Sequence, residues 1–192
     1  MQALKTLKYS YSDYLHWADE ERWELIHSIP YPISPTPSRK HQEIVGKLGN
    51  SIYNYLPDKH CSVYFAPFDV RLAESYADNH LIDTVVQPDL SVFCDSKKLD
   101  DKGAVGEPDW IIEILSPATK DKDMNTKLLL YQKYGVREYW IVDPEKEIAY
   151  TYTLDKTGKY PEAVENSDKV KSISPSVFKD FRISLEEILS NT

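Results

Sequence analysis

The sequence predicts a mixed α/β protein whose core runs helix, three strands, helix, strand. Three observations predict it. Ile44, Val45, Leu48, Ile52 and Tyr55 recur at helical spacing between a capping Ser38 and a terminating Pro57. Strand-like apolar runs follow at residues 61–72, 81–93 and 110–115. A second helix at 119–134, closed by Gly135, leads into the apolar run Tyr139-Trp140-Ile141-Val142. At 192 residues the chain suits one domain, 1–192, with its core at about 38–143.

Taken in order, Ser12 or Asp13 can cap a short amphipathic helix over 14–18, and 22–27 reads as a strand with Glu24 and Ile26 on one face. Residues 34–37 form a proline-rich turn, and His41 falls in the first turn of the long helix. Within 61–72, Phe68, Val70 and Leu72 share one strand face, and Asp69 and Arg71 the other. Residues 73–80 read as a polar connection. The second strand comes in two pieces, split at Pro88-Asp89, and 95–108 reads as a mobile charged loop. Asp121 and Asp123 near the start of the second helix suit its macrodipole. A return strand over 148–154, a turn at 155–158 and a short C-terminal helix capped by Ser184 complete the chain.

Glu113 is the residue that needs explaining. It interrupts the run Trp110-Ile111-Ile112…Ile114-Leu115, and a carboxylate inside a sheet core is costly unless it is paired or ligates a metal. Asp109 shares its face but stands about 13 Å away along an extended strand, too far for a common ion. Asp89, freed from regular pairing by Pro88, meets Glu113 if their strands are antiparallel neighbours. Two hard oxygen donors suit Mg2+ or Mn2+, which keep several waters and polarise phosphoryl oxygen. Asp123 and Lys127, four apart, share a helix face that Tyr131 continues. That pair is either a solvated i,i+4 ion pair or a cation reaching over the strands to stabilise developing charge.

Pro88-Asp89 and Glu113-Ile114-Leu115 within this element order resemble the PD-(D/E)XK nuclease superfamily. More narrowly, WELIHSIPYPISPTPSRKHQEIVGKL, QPDLSVF, EPDWIIEILSPATKDKDMNTKLLLYQKYGVREYWIVDP and SPSVFKDFRISLEEIL resemble the Uma-two family of restriction endonuclease-like proteins, over about residues 10–190. The resemblance implies a restriction-endonuclease-like core: helix, three-strand antiparallel meander, helix, strand, with an N-terminal strand and helix and a C-terminal hairpin added. It implies an endonuclease, a hydrolase of DNA, with Asp89 and Glu113 as metal carboxylates for Mg2+ or Mn2+. Leu115 stands where the superfamily has lysine, and Lys127 is the matching substitute, so that Asp89, Glu113 and Lys127 form the catalytic set. Glu24 and His41 match supporting positions, whereas His27 stands where the family commonly has aspartate.

Composition bounds the partners. With 23 basic and 31 acidic residues the net charge is −8, which argues against broad, non-specific nucleic-acid binding but leaves room for a local basic channel. Lys120, Lys122, Lys127, Lys133 and Arg137, with Arg39 and Lys40, are the candidates for DNA contact. Cys61 and Cys94 lie in separate runs without metal-ligand spacing, so free thiols are expected, and with no signal-like or membrane-length apolar segment the protein is expected to be cytoplasmic. A homodimer is expected for an enzyme acting on two strands. The alternatives are a non-catalytic binding or scaffold module that keeps the nuclease fold, and an acid–base hydrolase that uses two carboxylates without metal.

Overall fold

The computed structural model describes residues 7–17, 21–33, 36–73, 78–167, 170 and 172–189. Two six-stranded sheets are built from strands that alternate along the chain. The larger takes β3 (Ser62–Phe65), β6 (Leu90–Phe93), β9 (Trp110–Ile114), β10 (Glu138–Asp143), β11 (Ile148–Thr153) and β12 (Val164–Ser167), in the order β12-β11-β10-β9-β6-β3. The smaller takes β1 (Trp23–Ile26), β2 (Ile29–Pro32), β4 (Val70–Arg71), β5 (Val85–Val86), β7 (Leu99–Asp100) and β8 (Gly103–Val105), in the order β2-β1-β5-β4-β8-β7. The expected core is present: β3, β6 and β9 pair antiparallel, and β9 runs parallel to β10 after a helical crossover.

Side-chain parity sorts the layers. Leu90, Val92, Trp110, Ile112, Ile114, Trp140 and Val142 face α2 (Arg39–Tyr55), the C-terminal segment and α4 (Leu185–Leu189) in one apolar cluster. Phe93, Ile111, Leu115, Tyr139 and Ile141 face the other way and pack with Ile26, Val70 and Val86 of the small sheet and with Leu130 and Tyr131 of α3 (Leu128–Tyr134). Glu113 has the parity of this second set. Ser38 caps α2 by accepting from the His41 N–H, and Gly135, at φ 81°, ends α3 in the left-handed conformation that favours glycine.

Several local expectations change. The first helix, α1 (Tyr11–Tyr14), starts earlier, because Ser10 caps it and Asp13 closes a capping box with Ser10. His27 and Ser28, both at positive φ, turn the chain between β1 and β2, a hairpin that the prolines of IPYP hide from pattern reading. The run 61–72 divides between the two sheets at the cis Ala66–Pro67 bond. The loop at 95–108 is an ordered 3-10 turn and hairpin, β7 with β8. Gly103 fits there because its φ is +124° and a Cβ would lie 2.2 Å from the Asp69 carbonyl oxygen. Residues 18, 34–35 and 74–77, parts of the expected first helix, proline-rich turn and polar connection, lie outside the described residues.

The cysteines correct a further expectation. Ser62 pairs with Phe93, so one step along the ladder sets Cys61 opposite Cys94, and the two form a disulfide across β3 and β6. Thirty-three residues separate them in sequence, which hid a contact that strand register makes. The thiol argument for a reducing compartment therefore falls away. Closing a loop of that length contributes about 2–4 kcal/mol. A dithiol is expected to lower the urea midpoint of the parent accordingly and to leave a Cys61→Ser, Cys94→Ser variant unmoved; equal midpoints for parent with and without dithiol would contradict the bridge.

Candidate active site

The site forms where the two sheets exchange the chain. β5 ends in the small sheet at Val86, and Gln87-Pro88-Asp89 carries the backbone into β6 of the large one. Proline cannot donate to a ladder, so both sheets stop at this bridge and side chains there point into the space between them. The β6–β9 register, Leu90 opposite Ile112, places Asp89 opposite Glu113 when extended by one residue. The two carboxylates hold each other's strands. Asp89 N–H donates to Glu113 Oε2 at 3.3 Å, and Ile114 N–H donates to Asp89 Oδ2 at 2.8 Å.

Lys127 completes the centre. Its ammonium lies 2.7 Å from Glu113 Oε1, 2.8 Å from Glu24 Oε1 and 3.5 Å from Asp123 Oδ1. Tyr131 O–H donates to Glu113 Oε1 at 3.1 Å, and Gln87 N–H donates to Glu24 Oε1 at 3.2 Å. The Asp123–Lys127 pair is thus a buried part of the site and not a solvated surface pair. Lys122 holds the other oxygen of Glu24 at 2.6 Å. His41, buried at the start of α2, places Nε2 3.2 Å from Asp89 Oδ2, while its Nδ1 is buried without a hydrogen-bond partner. Glu24, Glu113, Asp123 and Lys127 are almost wholly buried; the side chains of Asp89, at 20%, and Lys122, at 18%, are the members that reach the surface.

Electrostatics follow from four carboxylates in a small volume. Burial, with Asp123, Asp89 and Glu24 adding to it against the pull of Lys127, raises Glu113 to about 8. Burial likewise raises Asp123 against the pull of Lys127. Burial would raise Glu24 too, but Lys127 and Lys122 outweigh it and bring it down to about 2. Burial opposes the charge on Lys127, yet Glu113, Glu24 and Asp123 hold it well above its ordinary value, so it stays an ammonium. For His41 burial is outweighed by Asp89, which holds the imidazole above its usual value.

The signs of these shifts make the acid limb of stability predictable. Glu24 is depressed from 4.5 to about 2, so its contribution is present above 4.5 and is lost as pH falls towards 2. The stability difference between the parent and Glu24→Gln should shrink by about 3 kcal/mol over that window in urea titrations. A constant difference would contradict the ion pairs. Glu113, raised to about 8, acts oppositely, and its contribution is lost as pH rises from 4.5 to 8.

A divalent cation fits this chemistry. Among the described residues no three His, Cys, Asp or Glu side chains are already spaced as a full ligand set. Asp89 and Glu113 are paired hard-oxygen donors of the kind Mg2+ takes together with waters and substrate phosphate. Burial, with the neighbouring carboxylates adding to it, raises Glu113, and Asp123 Oδ1 is buried without a hydrogen bond. A cation between Asp89 and Glu113 would relieve the repulsion.

The structure brings together all five expected residues, Glu24, His41, Asp89, Glu113 and Lys127. Leu115 is 6% exposed in the apolar cluster, so a lysine there would bury its charge among Ile26, Val86 and Leu130. His27 is an exposed turn residue, and its identity does not bear on the site. Asp69 is held by Tyr11, Tyr14 and the Gln87 side chain, and Asp109 opens β9 by accepting from Cys94 N–H and Arg137. Asp123, Lys122, Tyr131 and Gln87 belong to the cluster although they were not in the expected set. The D…K…Y spacing held the signal for Asp123 and Tyr131, Lys122 was expected only among the basic residues for DNA contact, and Gln87 had no signal. The proposed basic channel is largely spent on internal pairs: Lys120 with Asp143, Arg137 with Asp109 and Arg39 with Glu43.

A two-sheet α/β fold with paired carboxylates and a lysine at a strand junction is nuclease-like. Its architecture matches a solved structure described as "a putative nuclease belonging to DUF820" from Anabaena variabilis ATCC 29413, with a TM-score of 0.74 and 21% identity, over 95% of this chain and 98% of that one. The family model described as "Putative restriction endonuclease", the Uma-two family, matches residues 11–186, and the chain belongs to that family. No curated protein matches the chain. Among the described residues no helix is long and apolar enough to cross a membrane.

Proposed function

We propose that the protein is a Mg2+- or Mn2+-dependent endonuclease that hydrolyses phosphodiester bonds in DNA. The observation that carries this reading is the convergence of Asp89, Glu113 and Lys127 at the crossover between the sheets. Asp89 and Glu113 would hold the cation, which when bound polarises a phosphoryl oxygen and lowers the pKa of its water. Lys127, fixed as an ammonium, orients that water and offsets charge on the phosphoryl group; it does not take the proton. Its 3.5 Å contact with Asp123 is the loosest of three and the one a water can replace. His41 aims the Asp89 carboxylate, and Glu24 fixes Lys127. A homodimer would present two such sites to the two strands.

One observation favours the other reading, a non-catalytic module: Lys127 already faces three carboxylates. Calorimetry with Mn2+ separates the two, since the enzyme requires saturable binding that depends on Glu113 and the module shows none. The direct test is nicking of supercoiled plasmid in Mg2+ with and without EDTA. Turnover that survives EDTA would overturn metal dependence.

A further inference from the structure

Most of the segment between the Ser116–Pro117 break and α3 departs from α-helical geometry. Residues Lys122–Lys127 form a π-helical stretch, in which each turn spans about one more residue than in an α-helix. The difference decides which side chains share a face. In an α-helix residues five apart diverge by about 140°, whereas the i→i+5 hydrogen bond of a π turn stacks them. Lys122 and Lys127 are five apart, and a single carboxylate, Glu24, holds both: Oε2 at 2.6 Å from Lys122 and Oε1 at 2.8 Å from Lys127.

Donor counting separates the two lysines. An ammonium has three N–H groups. Those of Lys127 face Glu24, Glu113 and Asp123, with its side chain 5% exposed. Lys122 has one protein acceptor among the described residues, Glu24, and its side chain is 18% exposed beside Glu24, which is 2% exposed. Two of its donors therefore remain for a ligand at the lip of the site, and Glu24 fixes the ammonium without covering it.

We propose that Lys122 is a substrate-binding residue, contacting a backbone phosphate of the nucleic acid beside the scissile one, and that the π turn exists to bring it into line with Lys127. The inference rests on the nuclease reading above. It assigns the two cations separate tasks: Lys127 serves the reacting centre, and Lys122 sets where the strand lies.

The test uses Lys122→Gln, which keeps a donor for Glu24 and removes the charge, and Lys122→Arg, which keeps both. Binding of a fluorescein-labelled DNA duplex is followed by anisotropy in Ca2+ from 50 to 200 mM salt, and plasmid cleavage in Mg2+ gives KM and kcat. Each lost phosphate contact makes the log–log salt dependence about 0.9 shallower, so the affinity gap between parent and Lys122→Gln should narrow about three- to fourfold across that range. KM should rise with kcat little changed, and Lys122→Arg should restore the slope. An unchanged slope and KM in Lys122→Gln, with a parent that binds and cleaves, would overturn the assignment and leave the nuclease reading standing. A parent that neither binds nor cleaves would overturn both. If Lys122→Gln does not fold, Lys122→Met carries the same slope readout, and thermal melts identify which variant is read.

Discussion

Asp89→Ala is expected to keep the fold and to lose on the order of 10^3-fold in Mg2+-dependent plasmid cleavage, the scale seen when one preorganised group facing developing charge is removed. Two features make the loss specific. Asp89 is half-buried with its side chain 20% exposed, so water can enter in place of the carboxylate and take over its contacts with the Ile114 N–H and His41 Nε2. The fold should therefore lose only about 1 kcal/mol. The chemistry has no such replacement, because the proposed cation would keep only Glu113 of its two protein carboxylates, and a water carries none of the charge that Asp89 supplies. The assay compares parent and variant in Mg2+ and in Mn2+, with circular dichroism melts as control. Equal rates in both proteins would remove Asp89 from the site.

Lys127→Met is expected to be the most destabilising single change in the cluster, costing about 3–5 kcal/mol at pH 7, the range for removing one partner of a buried ion pair. The reason is the asymmetry of what is left behind. Glu24 keeps Lys122, but Glu113 and Asp123 lose their cation while remaining almost fully buried. Without the lowering pull of Lys127, Glu113 is pushed further up than in the parent, so the deficit should grow as pH rises through 8, where the parent ionises and the variant resists it. Urea unfolding of parent and variant at several pH values measures this. A variant as stable as the parent at pH 8 would show that the three carboxylates do not depend on Lys127.

The two results read differently because the same cluster has two jobs. Its buried members, Glu24, Asp123 and Lys127, set the distance between the small sheet and the π-helical segment. Its surface members, Asp89 and Lys122, face the solvent from which a substrate comes.

Sequence alone determined the core order and the central residue. Glu113 stood out because a lone carboxylate in an apolar strand has few physically acceptable fates, and Asp89 because proline just before it halts a ladder. The long helix from Ser38 and the Gly135 stop were legible for the same reason: each rests on contacts within a few residues of chain. What only the tertiary structure decided depends on register or on non-local pairing. The Cys61–Cys94 bridge needs the β3–β6 ladder, and the small second sheet is assembled from two- to four-residue strands whose own patterns are too short to read. Glu24 had a family match but no visible partner until β1 was set against the β5–β6 crossover. Lys122 was legible only as one of several basic residues suited to DNA contact, and its place beside Glu24 and Lys127 was not. An α-helical period would turn Lys122 away from Lys127, whereas the π turn lets both meet Glu24 on another strand.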